Sequence, residues 1–340
     1  MTAFFMHYGD VILGKQTVLC KDTPAFIANR VGVYAMAKIY QLTQEIGLSI
    51  DTVDALTGPA VGRPKTGTFR LGDLVGMDTA VHMINGMREN CPNDEQIGTF
   101  GIPKYLQFLI DNKFLGNKTG QGFYKKTAEK DAKGRPVILS LNLDTLEYGA
   151  PQKEKLPIID TLKQIEELPR RIKAVFKGDD KGAQLLQRAH LGLFAYVSNR
   201  VPEISDTAYA IDDAIRAGFA WEAGPFQLWD MVGVAEAVAL AEQQGEKIAT
   251  WVKDMLAAGH STFYKVENGK RFCYDPSTKS YQALPGGESF ILLDTFRSNK
   301  PDYTNAECTL HDIGAGVLCL EFHSKMNSIG EGILRVINDS

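Results

Sequence analysis

Several features are missing from this chain, and each absence excludes something. No run approaches the roughly 18 apolar residues that a membrane helix needs. The start, Met-Thr-Ala-Phe-Phe-Met, lacks the basic segment and long apolar stretch of a secretory leader. Positive charge is not in excess: 37 Lys and Arg against 41 Asp and Glu leave a net charge of −4, with no basic stripe for a general nucleic-acid binder. The five cysteines are scattered, odd in number and without a Cys-x-x-Cys pair. They read as reduced thiols in a cytoplasm, neither staples nor zinc ligands. The six histidines show no His-x-x-x-His spacing, so no metal site is expected. Gly-x-Gly-x-x-Gly after a strand, the P-loop and Gly-x-Ser-x-Gly are all missing. What remains, 340 residues at 44% hydrophobic and 23% charged, is globular and long enough for two or three domains.

The chain repeats itself. Gly67-Thr68-Phe69-Arg70-Leu71-Gly72-Asp73-Leu74-Val75-Gly76 returns as Gly224-Pro225-Phe226-Gln227-Leu228-Trp229-Asp230-Met231-Val232-Gly233. Ser49-Ile50-Asp51 is echoed by Ala210-Ile211-Asp212, Gly32-Val33-Tyr34-Ala35 by Gly192-Leu193-Phe194-Ala195, and Gly122-Phe123-Tyr124-Lys125 by Thr262-Phe263-Tyr264-Lys265. Matching blocks in one order imply a duplicated domain.

Each copy reads as mainly helical. Ile27, Val31, Ala35, Ile39, Leu42 and Ile46 fall three or four apart and make one apolar stripe. Thr23-Pro24 fits an N-cap and first-turn pair, and Gly47 fits the stop. Ala237, Ala241, Ile248, Val252 and Met255 give the second copy a stripe of its own. The spacing predicts a first helical domain over 23–150, a charged connector over 151–183, a second, degenerate helical domain over 184–285 and a β-rich unit over 286–340. Phe290–Leu293 and Gly316–Phe322 read as strands of that last unit, and Thr17–Cys20 as an isolated strand. Such ends suggest a fragment, with 324–340 either poorly ordered or packed on the second helical copy.

Few residues announce chemistry. Asn29 lies beside the apolar stripe, where its amide suits either substrate orientation or a bond to a neighbouring loop. At the offset set by Gly32 and Gly192 its counterpart is Ala189, so the fold does not demand an asparagine there. Gly116-Asn117-Lys118-Thr119-Gly120-Gln121-Gly122 could hold a phosphate or merely end a helix. Arg63-Pro64-Lys65 reads as a solvated loop, and Trp221, Phe226 and Trp229 as core.

At these residues the chain resembles the C-terminal part of 3-hydroxyacyl-CoA dehydrogenases. Lys21-Asp22-Thr23-Pro24-Ala25-Phe26-Ile27-Ala28-Asn29-Arg30, the stretch Phe69 to Asp78 and the stretch Phe114 to Lys125 carry the likeness over about 17–125. The second copy is similar to the degenerate repeat of multifunctional fatty-acid β-oxidation enzymes. Leu310 to Leu334 is similar to the opening strands of a crotonase (enoyl-CoA hydratase) domain.

The resemblance implies a mainly α fold: two tandem 6-phosphogluconate-dehydrogenase-C-terminal-like helical domains with small β-hairpins and no N-terminal Rossmann domain. Residues 1–22 would then be the tail of that missing domain. The implied reaction is NAD-dependent oxidation of a (3S)-3-hydroxyacyl-CoA to the 3-ketoacyl-CoA. Asn29 matches the family's substrate-side asparagine, and Lys118 the lysine that reaches NAD. His7 is followed by Tyr-Gly-Asp, not by the family's His-x-x-Asn-Pro continuation, so the His/Glu base is not expected in this chain. The chain would form one wall of the cleft, partner the missing domain, be inactive alone, and be a cytoplasmic monomer whose second copy stands in for a dimer mate. Two other readings stay open: a non-enzymatic helical interaction module, and a 3-hydroxybutyryl-CoA dehydrogenase, which would need neither the second copy nor the β-rich end.

Overall fold

The computed structural model describes residues 1–267, 270–285, 291–297 and 300–339. Its N-terminal segment differs from expectation. Thr2–His7 is a helix, α1, that runs on into a π turn at Tyr8–Ile12, and Thr17–Cys20 pairs with no strand among the described residues. Extended residues become a strand only when a neighbour completes their ladder, and none does here.

The first apolar stripe forms α2 (Ala28–Ile46), ended by Gly47 in the left-handed conformation with its N–H on the Thr43 carbonyl. Thr23 and Pro24 do not start it. Ala25 and Phe26 turn the chain at φ 62° and 52°, and the Thr23 hydroxyl is buried without a partner instead of capping. Four shorter helices follow: α3 (Ile50–Leu56), α4 (Phe69–Val75), α5 (Met77–Asn90) and α6 (Lys104–Asp111). A three-stranded antiparallel meander closes the copy: β1 (Tyr124–Lys130), β2 (Pro136–Leu141) and β3 (Tyr148–Gly149), one strand more than the hairpin expected.

The connector supplies α7 (Pro157–Gln164) and α8 (Leu168–Lys177), each with proline in its first turn, where the missing N–H costs nothing. The five helices then recur in order: α9 (Lys181–Asn199), α10 (Ala208–Phe219), α11 (Pro225–Val232), α12 (Val234–Gln243) and α13 (Thr250–Ala257). The second apolar stripe is thus shared by α12 and α13. Each copy has an aromatic heart: Tyr40, Phe69, Tyr105 and Phe123 in the first, Phe194, Phe226, Trp229 and Phe263 in the second. Phe226 and Trp229 are core residues, as their sequence suggests, with neither exposed. Helices α2 and α9 pack together, and Tyr34 stacks on Tyr196 with ring centres 3.9 Å apart and planes within 2°.

Contacts divide the chain into two compact units, Met1–Phe263 and Tyr264–Ser340. The second unit holds two antiparallel meanders, β4 (Tyr264–Glu267), β5 (Lys270–Asp275), β6 (Ser280–Ala283) and β7 (Tyr303–Thr304), β8 (Cys308–Asp312), β9 (Leu318–Phe322). It ends in α14 (Glu331–Asp339), whose Ile333 and Val336 bury against Cys308 and Leu310, so much of the segment expected to be either poorly ordered or packed on the second helical copy is a helix on this unit's own sheet. The Phe290–Leu293 strand is not found: Phe290 lies outside the described residues, Ile291 and Leu292 are irregular, and Leu293–Thr295 is a 3-10 turn.

Candidate functional site

Asn29 is placed by its neighbour. Arg30, 1% exposed, points from the first turn of α2 into the junction between the copies. Its Nε donates to the Tyr196 hydroxyl at 2.7 Å, and its Nη2 donates to Asp94 Oδ2 at 2.7 Å and pairs with Glu203 at 3.0 Å. Arg200 Nη1 reaches the same Asp94 oxygen at 2.9 Å, and Tyr196 donates to it at 3.0 Å. Buried charges persist when paired this closely, although Arg200 Nε has no hydrogen-bond partner among the described residues. With Arg30 facing inward, Asn29 is turned outward, exposed and without a hydrogen-bond partner among the described residues. Nothing in the sequence marks Arg30 as an anchor beyond a charge abutting an apolar stripe.

Two aspartates hold the framework. Asp54 accepts from the Thr68, Phe69 and Arg70 N–H groups at 2.8, 2.6 and 3.0 Å and from the Tyr124 hydroxyl at 2.7 Å, capping the start of α4. Asp73 accepts from the N–H groups of Phe123 and Tyr124 at 2.7 and 2.9 Å, tying α4 to β1. Burial pushes both carboxyls up to about 6. The second copy repeats both ties. Asp212 accepts from Phe226 N–H at 2.9 Å and Gln227 N–H at 3.0 Å, and Asp230 from Phe263 N–H at 2.8 Å. A Cβ on Gly67 would lie 2.7 Å from Asp54 Cα, and one on Gly224 would lie 2.3 Å from Asp212 Cα, which explains the paired glycines. Asp212 therefore corresponds to Asp54, not to Asp51 as the sequence echo suggested. The two copies differ by one residue in the loop from aspartate to phenylalanine.

Lys118 sits in the 3-10 turn Asn117–Thr119 and donates to both carboxylate oxygens of Asp78, at 2.5 and 2.6 Å. Asp78 belongs to the first turn of α5 and also accepts from Thr79 N–H at 2.8 Å. The hydrogen bond from Lys118, with that of Thr79, holds its carboxyl below the usual carboxylate range. Gly76, at φ 98°, makes the room: a Cβ there would stand 2.9 Å from Lys118 Nζ. Lys118 and Asn29 lie on different elements and share no hydrogen bond.

Arg63 is not the solvated residue expected. Its guanidinium stacks 3.9 Å over the Trp221 ring, and burial pushes it down to about 10. Clefts of about 440 Å³ beside Asp51 and Ser140, and about 890 Å³ between α3 and α7, are lined by neither Asn29 nor Lys118. Among the described residues no group of His, Cys, Asp or Glu is placed to hold a metal ion, and no helix is long and apolar enough to cross a membrane.

Residues 26–126 match the family described as the 3-hydroxyacyl-CoA dehydrogenase C-terminal domain. That span holds Asn29, both framework aspartates of the first copy, Asp78 and Lys118. A probable 3-hydroxyacyl-CoA dehydrogenase of Bacillus subtilis (strain 168) is 37% identical over 336 residues, 98% of this chain and 41% of that protein. One from Deinococcus radiodurans is 40% identical over 132 residues, 39% of this chain and 37% of its own length. A putative fatty acid oxidation complex trifunctional enzyme of Rickettsia felis is 29% identical over 217 residues, 64% of this chain and 28% of its own. The chain thus spans about two fifths or less of these relatives. The crystal structure of 3-hydroxybutyryl-CoA dehydrogenase from Escherichia coli K12 matches at a TM-score of 0.50 and 19% identity, over 73% of this chain and 63% of that one, a likeness of fold.

These findings correct the expected fold class. One continuous relationship covers 98% of the chain, across helices and small sheets alike. The expectation of a fragment whose Rossmann domain is absent does not stand, since neither the alignment nor the solved structure shows that domain to be missing.

Proposed function

We propose that this chain serves NAD-dependent 3-hydroxyacyl-CoA dehydrogenation in fatty-acid β-oxidation, with Asn29 on the acyl-CoA side and Lys118 on the cofactor side. The observation that carries the reading is the exposed, unpartnered Asn29 held outward by buried Arg30, with Ala189 at its place in the second copy. An amide carried outward on a fixed helix turn, with its donors free, can bind a carbonyl or hydroxyl oxygen. Lys118, half exposed and already oriented, fits one edge of a dinucleotide. NAD supplies the hydride acceptor, and this chain's residues bind and orient. The relatives' names support the reaction class, and the Rickettsia name supports a multifunctional setting.

The remaining parts of the reading follow. The domain limits are 23–150, 151–183, 184–285 and 286–340, the last beginning a crotonase-like domain for which the β8–β9–α14 order is the support. The reading extends to a cytoplasmic protein and to a monomer, the packing of α9 on α2 supporting the second.

The test is NADH oxidation with acetoacetyl-CoA by the full-length protein, alongside acyl-CoA binding by calorimetry. Asn29→Ala should lower kcat/KM about 10²-fold without altering the melting temperature. A protein that neither turns over nor binds acyl-CoA would instead be a helical interaction module, and a dimer mass in solution would remove the pseudo-dimer argument.

A further inference from the structure

The Asp78–Lys118 pair is half exposed, at 49% and 45% of its side chains. An exposed pair of this kind contributes little to folding. The second copy builds the same corner without it: α11, Gly233 at φ 108° and α12 repeat α4, Gly76 and α5, with Ala235 where Asp78 would be. The second copy also replaces the loop that carries Lys118 with the short stretch Ala258–Thr262. Folding therefore does not account for the pair.

We propose that Asp78 is a positioning residue for Lys118, fixing its ammonium over Gly76 so that the two together meet a ribose hydroxyl of the dinucleotide and not a phosphate. The inference rests on Lys118 being cofactor-side. A free lysine side chain spreads over many rotamers, and ordering it on binding costs conformational entropy. Asp78 removes most of that cost in advance. It is itself fixed by Thr79 N–H and sits in the first turn of the 14-residue helix α5, where the helix dipole favours a carboxylate. Two N–H groups of Lys118 face the two Asp78 oxygens, which leaves a third N–H to donate. The carboxylate retains lone pairs to accept. A hydroxyl, which both gives and takes a proton bond, completes this neutral pair. A phosphate drawn to Nζ would bring like charge against the carboxylate, which stays ionised.

NADH binding measured by its fluorescence tests this on the full chain. Asp78→Asn should weaken binding about tenfold, Asp78→Glu should restore most of it, and neither should move the melting temperature. The weakening should not depend on ionic strength, and Asp78→Asn should add nothing in a Lys118→Ala background. Unchanged or tighter binding in Asp78→Asn while Lys118→Ala weakens it overturns the positioning role and leaves the cofactor-side reading standing. Loss that shrinks steeply with salt marks a phosphate contact and overturns the ribose assignment. Unchanged binding in Lys118→Ala, or no binding by the wild type, overturns both.

Discussion

The two copies share their framework and differ in what faces outward. Asp54 and Asp73 have counterparts in Asp212 and Asp230, each accepting backbone N–H groups at the matching corner. Asn29, Asp78 and Lys118 have none. A duplicated domain is an internal control: what both copies keep is needed to fold, and what one copy keeps is spent on something else. Both aspartates pass the first test and the outward trio passes the second.

The comparison breaks most visibly at the shared residues. Asp73→Ala strips two N–H groups of their acceptor, which should cost about 3 kcal/mol in urea unfolding, and Asp230→Ala should cost a comparable amount. A harmless Asp230→Ala would mean that the second copy's tie is ornamental. The unshared residues should behave oppositely. Ala189→Asn, placing an amide in the second copy, should leave acetoacetyl-CoA reduction unchanged, whereas Asn29→Ala removes most of it. Equal effects of the two changes would end the division of labour.

A third prediction concerns pH. Asp54 and Asp73 sit at about 6 when folded against about 3.9 for a free aspartate, so the folded state binds these protons more tightly. Their contribution to stability grows as pH falls through 6, is complete below about 4, and is lost as pH rises through 6. From pH 7 to 5 the helical unit should gain about 2–3 kcal/mol from the two together in denaturant titrations. Asp73→Asn should flatten that slope. The smallest effect is expected at Arg135, whose exposed pair with Asp131 is screened by water, so Arg135→Ala should leave the urea midpoint unchanged.

The sequence made some of this legible. Apolar periodicity located α2, and Gly47 its end, because both signals are local. The repeat was visible because Gly67, Phe69, Asp73 and Gly76 are bound together by one corner and recur together. The start of α2 was not readable, since two residues with positive φ intervene between Pro24 and Ala28 and nothing in their side chains signals it. Thr17–Cys20 has strand composition, yet pairing depends on a neighbour, which composition does not encode. Arg30 and Asp94 lie 64 positions apart, and no local pattern links them. Asn29 and Lys118 could be singled out, but the partner of Lys118, at a separation of 40, could not.

The Arg30–Asp94–Arg200 knot carries a consequence for how the molecule comes apart. Asp94 in the first copy is shared by an arginine from each copy, so parting the copies would break charge pairs and packing that exist only across the junction. Melting should therefore proceed through Met1–Phe263 as one cooperative event, without a half-melted stage. A chain cut once in the connector should stay associated, its halves inseparable until both unfold.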